Sequence, residues 1–347
     1  MKILGVAGTA KNTGKTTTTM ALIDRAVEEN SPPAITSIGL DGEELDQVTG
    51  LPKPRLALPR NSFLITAEQC LKGGTARLEI LQTLQGKTPL GRLLLTRVKE
   101  EGRVLMAGPG NGRDLKEGAR ALEQYGVPLL LVDGALNRMT PLAGADLFVL
   151  ATGAARQSHL PTLRRETEIL VKALQLPRLQ PRGKTLNSYE LLSGGSERGL
   201  EMDSLLSPAA VHRVFKNGGT RRHELYIRGV LTGEAFLELA GAISPGGCRL
   251  IVKSPIHLLL GESLPTLARA LDLWRDRGGE IGVESGLDLR AITVNPFFPD
   301  YQERGRYYHP RYVDAHQLQS ALQSLGVPVV DVVREGGHQL WAQLFSG

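Results

Sequence analysis

Cysteine is scarce in this chain of 347 residues, which contains only Cys70 and Cys248. The two lie far apart, and neither a Cys-x-x-Cys pair nor a histidine cluster accompanies them. A disulfide framework or a structural zinc site needs several suitably spaced cysteines or histidines. The sequence therefore argues against both.

Long apolar runs are also missing. No uninterrupted run approaches the roughly 20 residues that a transmembrane helix requires. The chain enters the strand-like segment Ile3-Leu-Gly-Val-Ala7 almost at once, which leaves no room for the charged and apolar regions of a signal peptide. We therefore expect a cytoplasmic protein that does not associate with a membrane.

Basic charge is present only in modest excess, with 41 lysines and arginines against 36 acidic residues and a net charge of +5. Arginine pairs such as Arg164-Arg165 and Arg221-Arg222 are scattered and form no stripe with interleaved aromatic residues. This pattern disfavours a nucleic-acid partner. An anionic ligand such as a nucleotide explains the excess equally well.

The most informative stretch is Gly8-Thr-Ala-Lys-Asn-Thr-Gly-Lys-Thr-Thr17, which follows an apolar strand-like run and precedes a helical pattern. A strand, a glycine-bearing loop ending in Gly-Lys-Thr and a helix are typical of the phosphate-binding loop. Backbone N–H groups and the helix N-terminus would offer an anion site. The predicted nucleotide-binding residues are Gly8, Thr9, Ala10, Lys11, Asn12, Thr13, Gly14, Lys15, Thr16 and Thr17.

Within this loop, Lys15 would reach the β- and γ-phosphates and the Thr16 hydroxyl would bind Mg²⁺. The usual pattern places its first glycine at the position that Thr9 occupies, whereas Gly8 comes one residue earlier. Either the loop carries an extra residue or Thr9 is tolerated there. The alternative is a helix that merely begins at Gly-Lys-Thr.

Two acidic residues follow predicted strands. Asp133 ends the apolar run 128–132, as expected for an acid that holds Mg²⁺ directly or through water. Asp41 follows the run 34–39 and would contact Mg²⁺ or orient a water; an Asp-Gly turn is the equal alternative. The catalytic candidates are Lys15, Asp41 and Lys11, and the metal candidates are Thr16, Asp41 and Asp133.

The alternation of strand and helix patterns predicts an α/β fold, with a parallel sheet covered by helices on both faces. We expect a nucleotide-binding domain over 1–176, a boundary region over 177–222 and a second α/β domain over 223–347. That second domain would recognise a client or substrate, with candidate surfaces at Lys253-Ser254 and Asn295-Pro296. The run Thr75–Leu84 is predicted to be helical. Tyrosines and arginines over 301–312 indicate either a recognition loop or an ordinary surface loop.

Gly8–Thr17, Asp41-Gly-Glu43 and Val132-Asp133-Gly134 together resemble the SIMIBI division of P-loop NTPases. That division includes dethiobiotin synthetase, the MinD/ParA ATPases and the GTPase chaperones of cobalamin and nickel enzymes. The resemblance covers about half of the chain and implies Mg²⁺ with ATP or GTP; no base motif decides between the two. It also implies a homodimer, in which Lys11 would reach the neighbour's phosphate.

Val-Asp-Gly-Ala-Leu-Asn-Arg138 and Leu-Ala-Thr-Gly-Ala154 narrow the resemblance. They look like the ATPase family proposed to reactivate adenosylcobalamin-dependent lysine 5,6-aminomutase, which implies an aminomutase client. The leading hypothesis is therefore an NTP-hydrolysing switch or chaperone, with ATP favoured. The alternatives are an ATP-dependent small-molecule kinase or ligase of the dethiobiotin synthetase type, and a nucleotide-binding regulatory module without turnover.

Overall fold

The computed structural model describes residues 1–41, 56–135, 142, 144–181, 200–202, 204–215, 224–243, 248–260, 263–302 and 307–345. The chain divides into two compact units, one formed by Met1–Arg164 with Leu289–Gly347 and the other by Arg165–Asp288. This division differs from the predicted boundaries at 176 and 223. The end of the chain belongs to the first unit, so the second unit is an insertion in its sequence.

The strands over these residues are β1 (Lys2–Gly8), β2 (Ala34–Ser37), β3 (Leu40–Asp41), β4 (Ala57–Leu58), β5 (Phe63–Ala67), β6 (Arg77–Thr88), β7 (Gly91–Glu100), β8 (Gly102–Arg103), β9 (Met106–Ala107), β10 (Leu129–Ala135), β11 (Leu147–Gly153), β12 (Leu200–Met202), β13 (Glu224–Ile227), β14 (Arg249–Val252), β15 (Glu280–Val283), β16 (Asp288–Asn295), β17 (Phe297–Gln302), β18 (Tyr307–Tyr312) and β19 (Val329–Val330). The helices are α1 (Lys15–Glu28), α2 (Gly112–Glu123), α3 (Leu160–Leu174), α4 (Pro208–Phe215), α5 (Gly233–Ala242), α6 (Ile256–Leu259), α7 (Leu264–Asp276), α8 (Ala315–Gln323) and α9 (Gly337–Phe345), with a short 3₁₀ helix at Glu68–Lys72.

The first unit is built on a nine-stranded sheet in the order β19-β16-β11-β1-β10-β2-β5-β7-β6. The strands from β11 to β5 pair in parallel, as do β16 and β19, whereas β5, β7 and β6 pair antiparallel. Strand β1 is almost wholly buried at the centre, as expected for an apolar strand of a helix-covered parallel sheet. The predicted α/β class, with a mostly parallel sheet flanked by helices, is confirmed.

The position of β1 creates a crevice at its carboxyl end. The chain leaves β1 for β2 on one side and later returns through β11 and β16 on the other side. In open α/β sheets, ligands bind outside the carboxyl ends of the strands where the strand order reverses in this way. Gly8 lies in register with Ala135 of β10 and Ala151 of β11, so three strand ends meet at this point.

Strands β16 and β19 complete the first sheet, although the sequence predicts them in a separate domain. A buried hydrogen bond of 2.8 Å between the Thr293 and Thr18 hydroxyl groups joins β16 to α1. The main chain of Ala154 also donates to the carbonyl of Asn295. Asn295 therefore belongs to the crevice of the first unit and not to a surface of a second domain.

The predicted helix over Thr75–Leu84 is wrong, because Arg77–Thr88 forms edge strand β6. Its antiparallel pairing with β7 supplies backbone hydrogen bonds along one side of the strand, and Leu84 is buried. The apolar residues Leu78, Ile80, Leu81 and Leu84 are spaced at three and four residues, as in a helix, but they can also occupy a half-buried strand. Here the tertiary pairing overrides the local pattern.

The second unit has its own parallel sheet, in the order β12-β13-β14-β15. Trp274 of α7 is fully buried and packs on Phe236 of α5, with ring centroids 5.7 Å apart. The Trp274 indole N–H donates to the carbonyl of Glu280 at 3.0 Å, which satisfies its polar group. Among the described residues of the whole chain, none of the helices is both long and apolar enough to span a bilayer.

Candidate functional site

The loop between β1 and α1 is a tight turn with two left-handed residues. Asn12 has φ 61° and Gly14, which precedes the first turn of α1, has φ 88°. The Thr13 hydroxyl donates to the Ala10 carbonyl at 2.9 Å and closes the turn. Glycine suits position 14 because it adopts a positive φ without steric cost. The turn brings the N-terminus of α1 to the crevice at the end of β1.

In the sequence, Gly8 comes one residue before the usual position of the first loop glycine, which Thr9 occupies. The contacts of these two residues bear on that difference. A Cβ on Gly8 would lie 3.0 Å from the Thr13 hydroxyl and 3.2 Å from the Ala10 carbonyl, so Gly8 faces the inside of the turn. The side chain of Thr9 turns away and donates to the Thr152 hydroxyl at 2.9 Å, at the end of β11. The geometry favours a loop with one extra residue, in which Gly8 is the glycine at the base.

Lys15 and Asp133 form an ion pair, with Nζ 2.9 Å from Oδ1. Asp133 is buried at the end of β10, with 2% of its side chain exposed, whereas Lys15 in the first turn of α1 is 21% exposed. Because β1 and β10 pair in parallel, the loop and the acidic strand end lie at the same edge of the sheet. The structure therefore brings together two of the residues predicted from the sequence.

Thr16 and Thr17 complete the first turn of α1. Thr16 is partly buried, whereas Thr17 is exposed. In the parts of the chain that the structure describes, no group of three or more histidine, cysteine, aspartate or glutamate side chains could hold a metal ion.

For Asp41, which was predicted to contact Mg²⁺ or a water, the structure describes only the main chain. Its main chain pairs with Met106 in the small antiparallel ladder β3·β9. Its side chain and residues 42–55, which include Glu43, lie outside the described part of the chain. The proposed contact of Asp41 with a metal or water remains a prediction.

Two residues at the site were not predicted to act there. Asn295, at the end of β16, donates from Nδ2 to the Asn12 carbonyl at 2.8 Å and accepts the Phe297 N–H at its Oδ1. Arg156, after β11, donates from Nη1 to the Thr9 carbonyl at 3.0 Å. The only sequence signal for either was its position after an apolar strand.

A cavity of about 400 Å³ opens beside the loop. Its walls come from residues 10–12 of the loop, from residues 154–158 after β11 and from β17. The side chains that give it chemical character are Lys11, Arg156, Phe298 and Tyr301. Lys11, one of the catalytic candidates, is exposed and lines this cavity.

A scan against protein-family models and searches of curated proteins and solved structures found no match to this chain.

Proposed function

We propose that the chain binds a Mg²⁺–nucleoside triphosphate at the loop Gly8–Thr17 and hydrolyses it. The observation that carries this proposal is the ion pair between Lys15 and Asp133 at the carboxyl edge of β1 and β10. It places a cation and a buried carboxylate together at the N-terminus of α1, which is a favourable position for a polyphosphate and its metal ion.

The phosphates would contact the main-chain N–H groups of the loop and the first turn of α1. The first N–H groups of an α-helix point away from the helix toward such a ligand, and the helix dipole adds a partial positive charge. Lys15 would exchange its contact with Asp133 for the β- and γ-phosphate oxygens. It would then stabilise the charge that develops during phosphoryl transfer.

The residues present fit a magnesium site. The Thr16 hydroxyl and the Asp133 carboxylate are oxygen groups of the kind that Mg²⁺ prefers, and phosphate oxygens and water would complete its octahedral shell. A bound Mg²⁺ would neutralise phosphate charge. Asp133 would orient that shell from the end of β10 once Lys15 has moved to the phosphates.

ATP is the favoured nucleotide, with GTP as the other option. Turnover would serve as a switch or chaperone cycle, in a homodimer in which Lys11 reaches the partner's phosphate. The client would be an enzyme, with a cobalamin-dependent aminomutase as the specific suggestion, and the second unit is the proposed region for its recognition. An ATP-dependent kinase or ligase is the rival, since the same loop serves phosphate transfer to a small molecule.

The experiment compares wild type with Lys15→Ala and with Lys87→Ala, a control at an exposed lysine on edge strand β6. We expect Mg²⁺-dependent phosphate release by wild type and Lys87→Ala, and a loss of about 100-fold or more in Lys15→Ala. Undiminished nucleotide binding by Lys15→Ala would overturn the site. Transfer of the γ-phosphate to an added metabolite, with little released to water, would favour the kinase or ligase.

A further inference from the structure

The cavity beside the loop continues directly from the proposed phosphate site. Residues 10–12 form one wall of the cavity, and residues 14–16 lie at the start of α1 only a few positions later. A triphosphate at Lys15 would therefore leave its nucleoside end near this opening. The volume of about 400 Å³ falls within the roughly 300–1,000 Å³ of small-molecule sites.

The walls of the cavity differ in chemistry. Phe298, Pro299 and Tyr301 of β17 line part of it, and Tyr301, which shares a strand face with Pro299, is 43% exposed. Segment 154–158, which follows β11, contributes Arg156 and Gln157 to the lining. Aromatic rings and a guanidinium group are the side chains on which a nucleobase stacks.

The hairpin that carries Tyr301 is held together by several of its own contacts. Strands β17 and β18 form a hairpin in which Phe297 packs edge-on against Tyr312, with ring centroids 5.7 Å apart. An ion pair between Asp300 and Arg311 links the two strands at 3.3 Å. At its base, the Phe297 N–H donates to Asn295, which itself holds the loop through Asn12. A rigid wall lowers the entropic cost of ordering a bound base.

From these contacts we infer that the cavity holds the base of the nucleotide, and that the ring of Tyr301 is the stacking surface for a purine. This rests on the proposed function, because the phosphate site sets the position of the base. A purine presents a larger stacking surface than a pyrimidine, so Tyr301 would favour ATP and GTP over CTP. Arg156, which donates to the Thr9 carbonyl, lines the same cavity.

The test separates the base from the phosphates by using inorganic tripolyphosphate beside ATP and CTP, each with Mg²⁺, in equilibrium binding. The variants are Tyr301→Ala and Tyr301→Phe. The control is His309→Ala, on the same hairpin, because His309 is exposed and does not line the cavity. It reports on general damage to the hairpin.

We expect Tyr301→Ala to weaken ATP binding about tenfold, to reduce the preference for ATP over CTP, and to leave tripolyphosphate binding unchanged. Tyr301→Phe and His309→Ala should resemble wild type. Unchanged ATP affinity in Tyr301→Ala, or an equal loss for tripolyphosphate, would overturn the inference. If wild type binds neither ATP nor tripolyphosphate, the proposed function itself fails.

Discussion

The side-chain amide of Asn295 donates a 2.8 Å hydrogen bond to the main-chain carbonyl of Asn12. Asn12 lies in the turn before α1 in a left-handed conformation, and Asn295 ends a strand near the other end of the chain. The bond therefore fastens the proposed phosphate-binding turn to the sheet. The conformation of the turn depends on a residue that is distant in sequence.

Asn295→Ala should disturb this turn. Two hydrogen bonds are lost, so we expect the free energy of unfolding to fall by about 1–2 kcal/mol and tripolyphosphate affinity to fall several-fold. The matched control is Asn111→Ala, which removes the N-cap of α2 at a similar cost of about 1 kcal/mol without touching the turn. Urea unfolding and equilibrium binding measure both effects. Equal affinities in the two variants would show that Asn295 does not position the turn.

Gly14→Ala tests the left-handed position before α1. A side chain at φ 88° costs about 1–2 kcal/mol, and its Cβ would lie 3.2 Å from the Cβ of Asn295. Gly126→Ala is the control, since Gly126 also has a positive φ, of 69°, but has open space around its Cβ position. Both variants should lose stability in urea, and only Gly14→Ala should lose nucleotide binding. Normal binding by Gly14→Ala would argue against the turn as the phosphate site.

The ion pair between Lys15 and Asp133 should couple the two residues in the folded protein. Lys15→Met removes the cation beside a buried carboxylate, and we expect a loss of about 1–3 kcal/mol in the free energy of unfolding. Adding Asp133→Asn should restore part of that loss, because the buried charge is then gone. A double-mutant cycle in urea, without nucleotide, measures the coupling. Strictly additive effects would contradict a direct interaction.

His257 should make the stability of the protein depend on pH. Burial lowers the pKa of His257 below its usual value of 6.5, the nearby positive charge of Lys253 lowers it further, and the backbone of Ser254 partly offsets both. Between the folded-state and unfolded-state pKa values, the unfolded chain binds more protons. The contribution of His257 is therefore fully present above about pH 6.5 and is lost as the pH falls through the folded-state pKa.

We expect the urea concentration at the unfolding midpoint to decrease as the pH is lowered from about 7.5 to about 5.5. His257→Gln should make that decrease smaller. His309→Gln is the control, because His309 is exposed on β18. An unchanged pH dependence in His257→Gln would exclude this histidine as the source.

Much of the phosphate-site prediction rested on residues that are close together in the chain. A strand, a short loop and a helix in sequence order largely determine their own local geometry, so Lys15 could be placed at a helix N-terminus from its neighbours. The prediction that Asp133 lies near this loop required one further inference. An acid at the carboxyl end of an apolar parallel strand must lie at the carboxyl edge of the sheet. Its contact with Lys15 agrees with that reasoning.

The domain boundaries could not be obtained in the same way. The apolar residues of β16 can be buried in any parallel sheet, and nothing local distinguishes the sheet of the first unit from that of the second. The outcome depends on packing with distant partners, such as Thr18 against Thr293. The Thr75–Leu84 pattern likewise predicts a helix from its local spacing, whereas Arg77–Thr88 pairs with the distant β7 as a strand.

The sequence by itself determined the α/β class, the composition of the turn Gly8–Thr17 and the acidic strand end at Asp133, because each follows from contiguous residues and their spacing. Only the tertiary structure decided that Asn295 fastens that turn and that Arg156 and Tyr301 share a cavity beside it. Those residues meet because the chain returns to the first sheet with β16 beside β11, and β17 follows directly after β16. Such a choice of neighbours is made by the packing of the whole unit.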